Sequence, residues 1–453
     1  MFDGILTLNI LDGPFVGIVY TTCVFSVLYL VVLTLRWRSR RRLMASLFGV
    51  VAGTALGFIA VGIASTLITG LDLTGTTVPW VVTTFAAIGL AIANLWGSKW
   101  PRKVIAAGSM VLFLVAGVIG VNADYGLDQT VGDLAGISTA KRIALPVQPK
   151  PSAAQPKDSA KGAVISAKKM LAEDALWKTW KAPAGMPTVG TVGTVVIPNT
   201  KSGFVSRPAG LYLPPAALVP NAPELPLVIM LMGQPGNPDP AYSALILNQF
   251  AARHNGLAPI VLVVDQLGSR LIDPLCLDTE KYGKAETFIT QDAVDWARAN
   301  LHVMQDAAHW TIAGYSNGGQ CAVSLGAKYP HLWRNVLDIS GEAYPGADNP
   351  TATLAAAFKG DAAAYQAQKP VNILAAHQYT DMTAIFTIGS DDSHYLPQAK
   401  EVSAAAKASG WNVTYFEVPM GGHRAVAIKG GMTAGFDVLY PRLGLSDPAL
   451  PAP

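Results

Sequence analysis

Apolar residues are unevenly spread along this chain. Four uninterrupted apolar stretches fill residues 15–35, 43–68, 78–95 and 104–121, and none contains Asp, Glu, Lys, Arg or His. Each is near the ~20 residues that cross a hydrocarbon core. Buried soluble helices are neither so long nor repeated four times in succession. The pattern predicts an α-helical transmembrane bundle of four spans over residues 1–121. Residues 122–187 then change character and are expected to be a linker. Within it, 145–162 is rich in Pro, Ala, Ser and Lys and reads as an extended spacer. Residues 163–180 are a candidate short helix, whose Lys168, Lys169 and Lys178, with Lys181, form a basic solvated face.

From residue 188 to about 446 the pattern changes again. Segments 192–198 and 204–212 suggest early strands, and 227–232 and 259–264 are short continuous apolar runs. Such runs suit strands buried on both faces. A helical period over 286–301 precedes a strand at 309–313, a helix at 317–328 and strands at 336–340 and 384–388. Helix 398–409, strand 412–418 and helix 430–440 complete the series. Strands alternating with helices predict a mostly parallel central sheet with helices on both sides.

Charge orients the spans. Arg36, Arg38, Arg40, Arg41 and Arg42 lie between the first two, and Lys99, Arg102 and Lys103 between the last two. The N-terminal tail and the 70–77 loop carry Asp3, Asp12 and Asp72 but no Lys or Arg. Lys/Arg excess marks the cytoplasmic side. A multi-pass plasma-membrane protein is therefore expected, with its N-terminus, its linker and everything beyond residue 121 extracytoplasmic. Trp37, Trp80, Trp96 and Trp100 sit near span ends, as interfacial aromatics do. The first span does not read as a cleaved signal peptide, because an acidic tail precedes it. Gly49, Gly53 and Gly57 are spaced for close helix packing, most simply within the bundle. No span holds an ionisable group, which disfavours a transporter.

The whole chain is 51% hydrophobic and 14% charged, well below the ~25% charge of soluble domains. A net charge of +3, without a basic run interleaved with aromatics, argues against nucleic acid as a partner. No nucleotide-binding loop or metal motif is present, so no cofactor and no metal is expected. The three cysteines are too few for a disulfide scaffold. Cys276 and Cys321 both fall in the outer segment, where an oxidising compartment permits a bond. Bonded, they would pin the loop before helix 286–301 beside helix 317–328; two free buried thiols are the alternative.

The chemistry centres on Gly314-Tyr315-Ser316-Asn317-Gly318-Gly319. It follows an apolar run and opens a helical segment, the strand–turn–helix context in which G-x-S-x-G is a nucleophile elbow. A serine hydroxyl needs an adjacent base, and acid and base follow the serine in chain order in this arrangement. His423, in a loop after strand 412–418, is the expected base, with His394 the rival. Asp392, just past strand 384–388, is the expected acid. Asp391 is the alternative and Glu342 a distant third. Asn317 and Gln234 are the expected backbone N–H donors to an oxyanion; Pro235 has no N–H to offer.

At Leu211-Tyr212-Leu213-Pro214, Gly314–Gly319, Gly389–Asp392 and Gly421–His423 the outer segment resembles the putative-esterase family of α/β hydrolases. Its members include S-formylglutathione hydrolases, enterochelin esterases and secreted mycolyltransferases. The resemblance implies an α/β-hydrolase catalytic domain over 188–446 and a serine mechanism. Where many relatives have His-Gly at the oxyanion strand end, this chain has Met232-Gly233. Several spans followed by an outer hydrolase domain is also similar to bacterial aminoacyl-phosphatidylglycerol hydrolases. A serine esterase acting on a membrane or envelope lipid is the expected function. The same residues would serve acyl transfer to an alcohol, and an inactive binding module is the alternative of another class.

Overall fold

The computed structural model describes residues 2–36, 40–67, 73, 76–96, 98–145 and 175–449. Trp37, Arg38, Asp72, Lys168, Lys169, almost all of the 145–162 spacer and residues 163–174 of the candidate linker helix lie outside them. Of that helix, the described part is one turn, Leu176–Thr179. The chain divides into two compact units, Met1–Thr139 and Ala140–Pro453.

The first unit holds four main helices: α1 (Pro14–Arg36), α2 (Arg40–Leu67), α3 (Thr77–Ala93) and α4 (Trp100–Tyr125). Each is built mainly from one apolar stretch. At α4, Pro101 fits the first turn, where its missing N–H costs nothing. Gly126, at φ 68°, closes the other end in the left-handed region that glycine tolerates. Three candidate membrane spans, within α1, α2 and α4, have mean hydropathies of 2.2, 2.2 and 2.5 and are long enough to cross a bilayer. The fourth apolar helix, α3, is shorter at 17 residues. Gly49 and Gly53 of α2 lie against the backbone of Gly89 and Phe85 of α3, where any Cβ would collide. The small-residue stripe therefore packs inside the unit.

Two parts of the expected linker are structured. A capping box between Thr130 and Asp133 starts a short turn, and Val131 N–H donates to the Leu8 carbonyl, so this stretch folds onto the first unit. Further on, Ile143 and Thr194 pair backbones across the edge of the second unit. Both pairings lie before the Pro/Ala/Ser/Lys-rich stretch 145–162, in the part of the expected linker that precedes the spacer.

The second unit is built on one eight-stranded sheet. Its strands are β1 (Thr191–Val195), β2 (Ala209–Leu213), β3 (Leu227–Leu231), β4 (Ile260–Val264), β5 (Trp310–Tyr315), β6 (Asn335–Ile339), β7 (Thr383–Gly389) and β8 (Asn412–Val418). They lie in the order β1-β2-β4-β3-β5-β6-β7-β8. The β1–β2 and β2–β4 pairs are antiparallel and every other pair is parallel. Strands β2 to β7 are buried at every position, so apolar runs without alternation form them. Burying one Leu or Ile there contributes about 1.5–3 kcal/mol.

The covering helices include α5 (Ala241–Arg253), α6 (Ala293–Asn300), α7 (Asn317–Lys328), α8 (Leu396–Ala408) and α9 (Ala425–Arg442). Helix α7 packs on β3, β5 and β6, and α9 on β6, β7 and β8. Phe250 of α5 meets Phe436 and Tyr440 of α9 at centroid distances of 6.1 and 4.7 Å.

Three local expectations change. Strand β2 starts at Ala209 rather than 204: the Arg207 N–H and guanidinium bind Asp265, and Pro208 has no N–H for a ladder. The expected helix 286–301 contains a π turn, Phe288–Asp292. There the Asp292 carboxylate accepts the N–H groups of Lys201 and Ser202, both at 2.9 Å, a long-range contact with no mark in the helical period. Helix α5 was not expected at all. Most of its residues are buried, so it lacks a polar stripe.

Candidate active site

The turn from β5 to α7 presents Ser316. Its backbone sits at φ 56°, ψ −121°, a sparsely populated region for a residue with a side chain. Its N–H donates to the Ile339 carbonyl at 2.9 Å, and its own carbonyl accepts from Gly319 and Gln320. The flanking glycines are steric necessities. A Cβ on Gly314 would strike the Gly318 backbone, and one on Gly318 would strike the Leu231 carbonyl. Thus the sharp turn lifts Ser316 off the strand end, with the residue 7% exposed.

His423 arrives from the loop after β8, Asp392 from the loop after β7. The two loops are stitched together. Ser390 N–H donates to Val418 O, Asp391 N–H to Gly421 O at 2.7 Å, and Met420 N–H to Ser390 Oγ. Gly389 lies against the Gly421 backbone, where a Cβ would not fit. His423 Nδ1 is 2.8 Å from Asp392 Oδ2, and its Nε2 is 2.8 Å from Ser316 Oγ. A carboxylate only accepts, so Nδ1–H donates to Asp392, and Nε2 is left to accept the serine proton. Asp392 is 1% exposed, and its second oxygen accepts the Tyr395 N–H at 3.1 Å.

The three residues expected to work together are therefore within hydrogen-bond reach in the order serine, histidine, acid. Asp391 is not part of this set: it is exposed and accepts from Ser390 Oγ at 2.9 Å. His394 is exposed, with Nε2 3.6 Å from Asp348 Oδ1. Just past β3, where the second oxyanion donor is expected, an ideal Cβ on buried Gly233 would lie 3.1 Å from Ser316 Cβ. Gln234 follows it at the surface, joined to Pro235 by a cis peptide. Gln266 Nε2 donates to the Met232 carbonyl and, at 3.3 Å, to Asn317 Oδ1, bridging the segments that follow β3 and β5. Cys276 and Cys321 form a disulfide that ties the 266–283 loop to α7. Among the described residues no group of His, Cys, Asp or Glu is arranged to hold a metal ion.

Carboxyl groups crowd one side of the site. Burial raises Glu342 well above the usual carboxylate range, and the charges of Asp273 and Asp348 raise it further. Burial also raises Asp273, against the opposing pull of the Leu275 N–H and the Asn317 side chain. Asp348 accepts the Tyr395 hydroxyl at 2.9 and 3.1 Å. Tyr395 and Tyr315 pack on His423 at centroid distances of 4.4 and 5.0 Å. Asp273, Asp348 and Tyr395 carry no motif; only the folded chain brings them here. Glu342 had a signal, its place after a strand, but for the wrong role.

Residues 206–425 match the model of a family described as putative esterase. The chain is 29% identical over 270 residues to an uncharacterized protein of Corynebacterium glutamicum, covering 57% of this chain and 62% of that protein, less than two thirds of its length. Among solved structures, an S-formylglutathione hydrolase from Agrobacterium tumefaciens aligns at 16% identity and a TM-score of 0.46, over 57% of this chain and 97% of that one. A ferulic acid esterase from Anaeromyces mucronatus aligns at 14% identity and a TM-score of 0.42, over 59% and 95%.

Proposed function

From the premise that residues 206–425 belong to the putative-esterase family and form a serine carboxylic ester hydrolase, we propose that this chain cleaves an ester of a membrane or envelope lipid. The carrying observation is the unbroken hydrogen-bond relay from Ser316 Oγ through His423 to Asp392. Ser316 Oγ attacks the ester carbonyl carbon while its proton passes to His423 Nε2. Asp392 holds the imidazole and stabilises its cation. The tetrahedral oxyanion receives the Asn317 and Gln234 N–H groups; losing one such donor costs about 10²–10³ in rate. Collapse breaks the ester bond, and His423 protonates the departing alcohol. Water, deprotonated by His423, then attacks the acyl-serine and frees the acid and Ser316.

An aminoacyl ester, as in aminoacyl-phosphatidylglycerol, is the substrate we favour. Glu342, Asp273 and Asp348 support it, because an arriving ammonium group would relieve the mutual repulsion and desolvation of these carboxyls. In this reading α1 to α4 anchor the protein with four spans. Helix α3, at 17 residues, is at the lower end of spanning length. The N-terminus and catalytic unit face outward, consistent with the basic residues between α3 and α4 and with a disulfide in an oxidising compartment.

The test uses full-length protein in vesicles containing aminoacyl-phosphatidylglycerol, with released amino acid followed by mass spectrometry. Wild type should release it and Ser316→Ala should fall by about 10⁴-fold or more. No release by a wild type that still reacts with a fluorophosphonate would discard this substrate and keep the esterase.

A further inference from the structure

Tyr395 touches both partners of the serine from one position. Its backbone N–H donates to Asp392 Oδ1 at 3.1 Å, the oxygen that His423 does not use. Its ring lies 4.4 Å from the His423 ring, with the planes inclined at 35°. Tyr315 lies 5.0 Å away at 27°, so two aromatic rings pack on the imidazole. The phenol is not left to rotate. It donates to the Asp348 carboxylate at 2.9 and 3.1 Å, and the residue is only 3% exposed. Asp348 belongs to the segment between β6 and β7, which carries the short helices Pro350–Phe358, Ala362–Ala367 and Pro370–Ala375. One residue thus joins the acid through its backbone and the base and that segment through its side chain.

We propose that Tyr395 is a positioning residue that fixes the ring plane of His423, and that Asp348 sets Tyr395 through its hydroxyl. A histidine acting twice in one cycle must aim Nε2 first at Ser316 and then at the leaving alcohol or water. Rotation about its side-chain bonds would spoil both alignments. An aromatic face also attracts the imidazolium that forms in each transition state. The Asp392 bond alone leaves the ring free to swing about the Nδ1–Oδ2 axis, and the Tyr395 ring blocks that swing on one side.

This inference rests on the serine mechanism proposed above. Its test uses p-nitrophenyl acetate, a neutral ester, so that Asp348 is not read through any contact with an ammonium group. Tyr395→Leu should lower kcat about 10- to 100-fold, the scale of a slightly misplaced catalytic group, with KM little changed. Tyr395→Phe keeps the ring and the packing, so it should fold normally and lose less than the Leu variant. Asp348→Ala should match Tyr395→Phe. The double variant Tyr395→Phe/Asp348→Ala should be no worse than either single, because both changes remove one interaction. A wild-type kcat in Tyr395→Leu, a loss confined to KM, or independent losses in the double variant would each overturn the proposal. Activity surviving in Ser316→Ala would instead bring down the serine mechanism itself, and this inference with it.

Discussion

At the scale of single residues, Asp338 shows how the elbow is backed from beneath. It lies on β6, fully buried, against Gly319 and Gly341, where neither glycine has room for a Cβ. Burial raises its carboxyl to about 7, partly opposed by the Gly341 N–H. The native chain therefore keeps a proton that the unfolded chain releases near the usual carboxylate value of ~3.9. Stability from this group is complete below that pH and is lost as pH rises through about 7. Asp338→Asn should remove up to about 4 kcal/mol of that dependence. Unfolding of wild type and variant in detergent at pH 5 and pH 8 reads it, and equal pH slopes would refute it. The serine, the histidine and the preferred acid were legible because each follows a strand in the order the chemistry needs. Choosing between Asp391 and Asp392 required the fold, because successive residues of one turn point different ways.

At the scale of elements, the differences from expectation arise where a partner distant in sequence intervenes. Helix α7 and strand β8 have the bounds read from their patterns, since a long run with a clear period or a marked polar boundary is locally determined. Strand β2 was shortened by the Arg207–Asp265 contact, and the α6 region was widened by Asp292, both through partners far along the chain. The disulfide links positions 45 residues apart and holds the 266–283 loop, which carries Asp273, against α7. Closing a loop of that length is worth about 3–4 kcal/mol in the chain-entropy account. Cys276→Ser and Cys321→Ser should each lower thermal stability by a similar amount. Dithiothreitol should destabilise wild type but neither variant; equal sensitivity in all three would contradict this.

For the whole molecule, the two units follow different rules. The first is apolar outward as well as inward, with exposed Val24, Phe48, Phe58 and Val111 among its residues, which suits a lipid solvent. The second buries its apolar strands under helices. The proposed orientation predicts labelling by a membrane-impermeant maleimide in intact cells. In a Cys23→Ala background, Ser98→Cys between α3 and α4 should stay unlabelled, and Val205→Cys on the exposed surface of the second unit should react. Labelling at residue 98 would reverse the assignment.

Period, run length and turn chemistry are properties of neighbours along the chain. They were enough, without any structure, to reveal the apolar helices, the alternation of strands and helices, and the serine turn. The partners of the site are properties of distance across the fold. The pairing of Cys276 with Cys321, the use of Asp392 over its neighbour and the carboxyl groups around Glu342 fall in this class. So does Tyr395, set between His423 and Asp348. Each depends on which loops the sheet order β3-β5-β6-β7-β8 brings to one edge, and no local pattern encodes that order.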